Sequence, residues 1–157
     1  MNINLIAVGT RMPAWVREGY REYARRLPRE CRLNLTEIPL GQRSGSKNPQ
    51  RAVAEEGKRM LTEISPDQHV IALDVKGRSW TTDQLAGQLQ RWLQDGRDVS
   101  LLVGGPDGLF APCLERAQQC WSLSPLTLPH ALVRVLLAEQ LYRAWTVTVG
   151  HPYHRAG

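Results

Sequence analysis

The sequence predicts an α/β fold, a mostly parallel sheet with helices on both faces, and three observations carry that expectation. Strand-like and helix-like segments alternate along most of the 157 residues, the order that builds parallel sheets through helical crossovers. Two of the strand-like segments, His69 to Asp74 and Asp98 to Val103, are mainly apolar runs rather than alternating ones, as strands buried on both faces are. The second of these stops in Gly104-Gly105-Pro106-Asp107-Gly108, a loop almost bare of side chains at the carboxyl end of a strand, where open parallel sheets hold their ligands.

Taken in order, Ile3 to Val8 forms the first strand, and Pro13 suits the first turn of a helix that ends near Leu27-Pro28. Arg32 to Ile38 alternates Leu33 and Leu35 with polar neighbours, as a half-buried strand does. Gly41 to Pro49 is a polar, glycine-containing loop. A helix follows from about Gln50 to Ile64, with Val53, Met60, Leu61 and Ile64 facing inward. The strand His69 to Asp74 is closed by Lys76-Gly77-Arg78, after which Thr81 or Thr82 caps a helix with Leu85, Leu89, Trp92 and Leu93 on one face. Beyond the glycine loop, Ala111 to Cys120 is a short helix and Trp121 to Ser124 a last short strand. The final helix, about Ala131 to Trp145, is apolar around nearly its whole circumference. Such a helix needs cover on all sides, and a chain this short has little left to supply it, so a homodimer burying this helix is expected.

Length and the lack of a Ser/Gly/Pro-rich linker suggest a single domain over residues 1–157. The N-terminus lacks the basic start of a signal peptide and no apolar run reaches membrane-spanning length, so a soluble, cytoplasmic protein with no membrane partner is expected. Cys31, Cys113 and Cys120 show no metal-ligand spacing and are expected to be small buried residues in a reducing compartment. The net charge of +5 is unevenly distributed: residues 1–60 hold twelve Lys/Arg against six Asp/Glu, and the remainder is close to neutral. Arg17, Arg21 and Arg25, spaced by four, form a basic ridge on the first helix, facing away from Trp15, Val16, Tyr20, Tyr23, Ala24 and Leu27. With Arg43 and Lys47 in the polar loop, the ridge suits either nucleic-acid phosphates or simple solvation, with Glu18 and Glu22 partly neutralising it.

The glycine loop is neither a P-loop, since no Gly-Lys-Ser/Thr follows, nor a dinucleotide fingerprint. A second candidate is the tail Gly150-His151-Pro152-Tyr153-His154-Arg155, which packs two proton-transfer groups, a stacking ring and an anion-binding guanidinium into five positions. Its His-x-x-His spacing has no carboxylate or cysteine cluster to complete a site, so no metal is expected. His130 is expected to start or pack the last helix, and Glu139 to pair with Arg143 one turn on.

These segments resemble a known family. Gly104 to Gly108, Trp121 to His130, Val133 to Trp145 and His151 to Arg155, with Leu5 to Thr10 and Trp80, are similar to the ribosomal RNA large subunit methyltransferase H family of the SPOUT class, from end to end of the chain. The resemblance implies methyl transfer from S-adenosylmethionine to N3 of a pseudouridine in 23S rRNA, in the loop of the helix that meets the decoding region, with 23S rRNA in the 70S ribosome as partner; whether the assembled ribosome is required stays open. It also implies a homodimer and a C-terminal trefoil knot, which ordinary chain topology argues against. By the same resemblance the cofactor pocket is Leu73, Gly104, Leu123, Ser124, Pro125, Leu126, Thr127 and Leu128. His154, Arg155 and Tyr153 are the catalytic candidates, accepting the N3 proton, stabilising the developing anion and packing against the base. Which of them is the base stays open, as does whether the tail serves its own subunit or its partner's. Arg17, Arg21, Arg25, Arg43 and Lys47 are the RNA-binding candidates. Pro125, inside the cofactor segment, departs from the family pattern and removes an amide donor. A non-catalytic RNA-binding protein of the same fold, or a SPOUT enzyme acting on tRNA, are the rival readings.

Overall fold

The computed structural model describes residues 1–43, 45 and 48–155; Lys47 therefore lies outside the described residues. Five strands, β1 (Asn2–Val8), β2 (Arg32–Ile38), β3 (His69–Ser79), β4 (Val99–Val103) and β5 (Gln119–Ser122), form one sheet in the order β2-β1-β4-β3-β5. Every strand pair is parallel. The helices are α1 (Ala14–Ala24), α2 (Gln50–Thr62), α3 (Thr82–Asp95), α4 (Ala111–Arg116) and α5 (His130–Val149).

Side-chain alternation along each strand divides the core in two. Ile3, Leu5 and Ala7 of β1 join Leu101 of β4 and Ile71 of β3 beneath α1, α3 and α5, while Ile6, Val8, Leu102 and Val70 pack on the other side against Met60 of α2 and Cys113 of α4. Helices thus cover both faces, and the central strands are apolar on both, which is why their sequences do not alternate.

Several boundaries differ from the sequence expectation, each for a local reason. β3 does not end at Asp74. Leu73 and Arg78 both register with Trp121, so residues 74–77 leave the ladder and the strand resumes. Gly77 permits this, because a Cβ there would stand 2.7 Å from the backbone of Cys120 and Trp121. α4 stops at Arg116, and β5 begins at Gln119 rather than Trp121. α5 runs further at its C-terminal end: Thr146 and Thr148 donate their hydroxyls to the carbonyls of Arg143 and Trp145, which accommodates the β-branched final turns, and left-handed Gly150 (φ 72°) then ends the helix. Thr81 is the cap of α3, in a reciprocal capping box with Gln84.

α1 ends at Ala24, and Trp15, expected on its buried side, is 58% exposed. Cys31 and Cys113 are fully buried, whereas Cys120 is half-buried. Among the described residues no helix is long and apolar enough to cross a membrane.

Candidate active site

At the carboxyl ends of β4 and β5, beside the break in the β3 ladder after Leu73, lies a cavity of about 280 Å³. Leu73, Gly104, Leu123, Ser124, Leu126, Thr127 and Leu128 line it together, drawn from segments far apart in sequence. Pro125 is exposed and is not part of the wall. Asp74 and Val75, in the excursion from β3, add to the rim, and Val103, Trp121, His130 and Val133 complete the wall. Sequence reasoning missed these last four because each is an ordinary core or helix-start residue until the strand order brings it to the cavity. The signal for Asp74 and Val75 was Gly77, which marks a close backbone approach rather than a strand end.

The walls are mostly main chain, and local hydrogen bonds shape them. Gly108 N donates to Gly105 O at 3.1 Å, closing the glycine loop with Gly108 at φ 86°. A Cβ on Gly104 would stand 2.7 Å from the Gly108 carbonyl carbon, so only glycine fits. On the opposite wall, Ser122 donates to the Ser124 carbonyl at 3.0 Å and the Ser124 hydroxyl accepts from Leu126 N at 2.9 Å. Trp80 stacks on Trp121 at 4.8 Å and backs this side. His130 contributes Nδ1, buried and without a partner among the described residues. The arrangement offers backbone amides and carbonyls beside apolar side chains, suited to a flat, neutral ring held by its edges.

Arg134, one turn into α5, anchors this end of the helix. It is 1% exposed, donates to the carbonyls of Val8 and Gly9 at 3.2 and 2.7 Å, and pairs with Glu37 at 2.6 Å. Strand ends and helix start are thereby fixed to one another.

The tail forms a separate cluster. After Gly150, residues Pro152–His154 make one 3₁₀ turn in which Tyr153 N donates to His151 Nδ1. Tyr153 packs on Tyr142 with ring centroids 4.7 Å apart, lies under the Arg143 guanidinium at 4.9 Å, and donates its hydroxyl to Glu139 at 3.2 Å. Glu139 and Arg143 form the expected ion pair at 2.6 Å. Burial, with Glu139 beside it, pushes the Tyr153 phenol up to about 12. His154 is half-buried and Arg155 exposed.

Cavity and tail do not meet. His130 belongs to the cavity and Glu139 to the tail cluster, and nine residues of helix carry Glu139 to the opposite side of α5 and roughly 13 Å further along its axis.

The basic residues are also divided. Arg17 donates to the Met12 carbonyl at 2.9 Å and, with Arg21, borders a second cavity of about 270 Å³ between α1, β2 and α5. Burial raises the pKa of Tyr20 in its wall. Arg25 pairs with Glu22 at 2.8 Å on the surface. Arg43, an RNA-binding candidate from the sequence, pairs with Glu56 at 2.7 Å and Asp107 at 2.8 Å. Among the described residues no cluster of three or more His, Cys, Asp or Glu is arranged to hold a metal.

The chain belongs to the SPOUT methyltransferase family, whose model, described as "Predicted SPOUT methyltransferase", matches residues 1–154. Within that class its relatives are named Ribosomal RNA large subunit methyltransferase H. The protein of that name from Alkalilimnicola ehrlichii is 62% identical over 99% of this chain and 100% of its own length, and the one from Methylococcus capsulatus is 58% identical over the same shares. Among solved structures, "Probable Methyltransferase from Bordetella pertussis Tohama I" superposes with a TM-score of 0.56 at 19% identity, covering 90% of this chain and 95% of that one, a likeness of fold.

Proposed function

We propose that this methyltransferase modifies N3 of pseudouridine 1915 in 23S rRNA of the assembled 70S ribosome, with S-adenosylmethionine as methyl donor, in the cytoplasm. The relatives' names support ribosomal RNA as substrate. The observation that carries the reading is the cavity itself, mostly main-chain walls where β4 and β5 end and the β3 ladder breaks, with little charge inside. That donor set fits an adenosyl ligand: Gly104 leaves the loop backbone bare, Leu73 and the 123–128 segment offer edges for an adenine ring, and His130 Nδ1 remains free to bond. The bound donor supplies an activated methyl on a sulfonium.

The chain's residues then have to orient the uracil-type ring and remove the N3 proton, since that nitrogen becomes nucleophilic as the proton leaves. His154 is the proton acceptor or hydrogen-bond partner of the base, and Arg155 stabilises the negative charge that develops. Tyr153, held protonated by burial and by the neighbouring Glu139, is a donor and packing surface rather than a base. His151 shapes the turn that carries them.

Because the tail clusters on the far side of α5 from the cavity, the tail that serves a given cavity belongs to a second copy of the chain. The homodimer, with the family's C-terminal trefoil knot, is part of this reading. It is supported by Leu132, Val135 and Leu136 of α5, which one chain covers only in part. The exposed Arg21 and Arg25 are the phosphate contacts of the reading, with Arg17 beside them. His154→Ala and Arg155→Ala are expected to lower the methylation rate of 70S ribosomes by about a hundredfold or more with cofactor affinity unchanged. Full activity in both variants removes the tail from the mechanism.

A further inference from the structure

We infer that Arg43, braced by Glu56, is a positioning residue that sets the glycine loop for the methyl donor; the inference rests on the reading of the cavity as the donor's site. Arg43 spends its planar fork on two carboxylates from different elements: Nε donates to Asp107 at 2.8 Å, and Nη1 donates to Glu56 at 2.7 Å and to the Gly41 carbonyl at 3.0 Å. Glu56, on α2, is 2% exposed and also accepts from Gly41 N at 2.9 Å. The carboxylate is therefore fixed before Arg43 meets it, and Arg43 in turn fixes Asp107.

Asp107 is the one ionisable side chain of the loop and does not line the cavity, whereas Gly104, Gly105, Pro106 and Gly108 do. A loop nearly free of side chains has little packing of its own to set where its backbone lies. Its outer side rests on this clamp. A Cβ on Gly105 would stand 3.0 Å from Val8 Cγ1 and 3.5 Å from Glu56 Oε1, so the loop already seats closely against the same carboxylate. The clamp also ties Gly41 and Arg43 to the cavity wall. A lysine has one nitrogen and cannot bridge both acids from the fork positions.

The test is calorimetric titration of S-adenosylmethionine, without RNA, into the wild type, Arg43→Ala, Arg43→Lys, Asp107→Asn and the Arg43→Ala/Asp107→Asn pair, with melting curves for each. Asp107→Asn leaves the Arg43–Glu56 pair in place, so it reports on the clamp even where Arg43→Ala fails to fold. Arg43→Ala and Asp107→Asn are each expected to weaken cofactor binding about tenfold, through loss of the Arg43–Asp107 ion pair. The double variant is expected to lose no more than either, because all three remove the same link, and Arg43→Lys falls between. With ribosomes, KM for the cofactor rises while kcat at saturating cofactor holds. Wild-type cofactor affinity in Arg43→Ala and Asp107→Asn, with ribosome binding lost in Arg43→Ala, overturns the inference and returns Arg43 to phosphate binding. No binding by the wild type overturns the cavity reading itself, and the inference with it.

Discussion

The phenol of Tyr153 is a donor at neutral pH and stays one far into the alkaline range. Burial desolvates it, and the Glu139 carboxylate that accepts its proton disfavours a second negative charge. With its pKa raised from 10.0 to about 12, the native state keeps a proton that the unfolded chain gives up earlier. The stabilisation is therefore complete below pH 10 and disappears as pH rises through about 12. Spectrophotometric titration of Tyr153→Phe is expected to lack the phenol that ionises near 12, and its methylation rate is expected to keep the pH profile of the wild type. An inflection that moves in this variant makes Tyr153 the base. The Glu139–Arg143 pair was legible in the sequence because helical spacing alone brings i and i+4 together. Arg134 was not, since its partner Glu37 stands 97 positions away and nothing local announces it. The partners of Arg43 were hidden for the same reason: a polar loop with two cations suggests phosphate, and only the fold shows the two carboxylates that Arg43 pairs with.

Among the elements, β3 matters most for the site. Its central residues were readable as a buried strand, but its length was not, because Asp74 to Gly77 carry turn chemistry in sequence and form an excursion within a continuing strand. The Asp74 side chain accepts from Lys76 N at 2.9 Å, a local turn that lifts Val75 to the rim of the cavity. Gly77→Ala forces a Cβ to within 2.7 Å of the β5 backbone. The expected result is a loss of about 2 kcal/mol by denaturant unfolding, together with weaker cofactor binding. Unchanged stability and binding show that β5 gives way freely there. α5 was legible as an apolar helix, yet its ends lay beyond the window that periodicity defined, because hydroxyl back-bonding and Gly150 are what fix the last turn.

On the proposed reading, the molecule as a whole divides its chemistry between two parts of α5. The cavity is at the first turn, the tail folds back after the last to reach Glu139, and the rotation between His130 and Glu139 puts them on opposite sides of the helix. Fold class, the glycine loop and the tail were each visible in the sequence, but their separation within one chain was not, because it depends on where the tail lands on α5 after Gly150. In the proposed reading, a two-fold pairing of chains resolves that separation. The most direct measurement is complementation. Arg155→Ala has an intact cavity and a disabled tail, and Gly104→Val has the reverse. Each is expected to be nearly inactive on 70S ribosomes alone. After dissociation and random reassociation of equal amounts, about a quarter of wild-type activity is expected, since half of the dimers are mixed and one of their two sites is whole. A mixture that stays as inactive as its parents contradicts a site built from two chains.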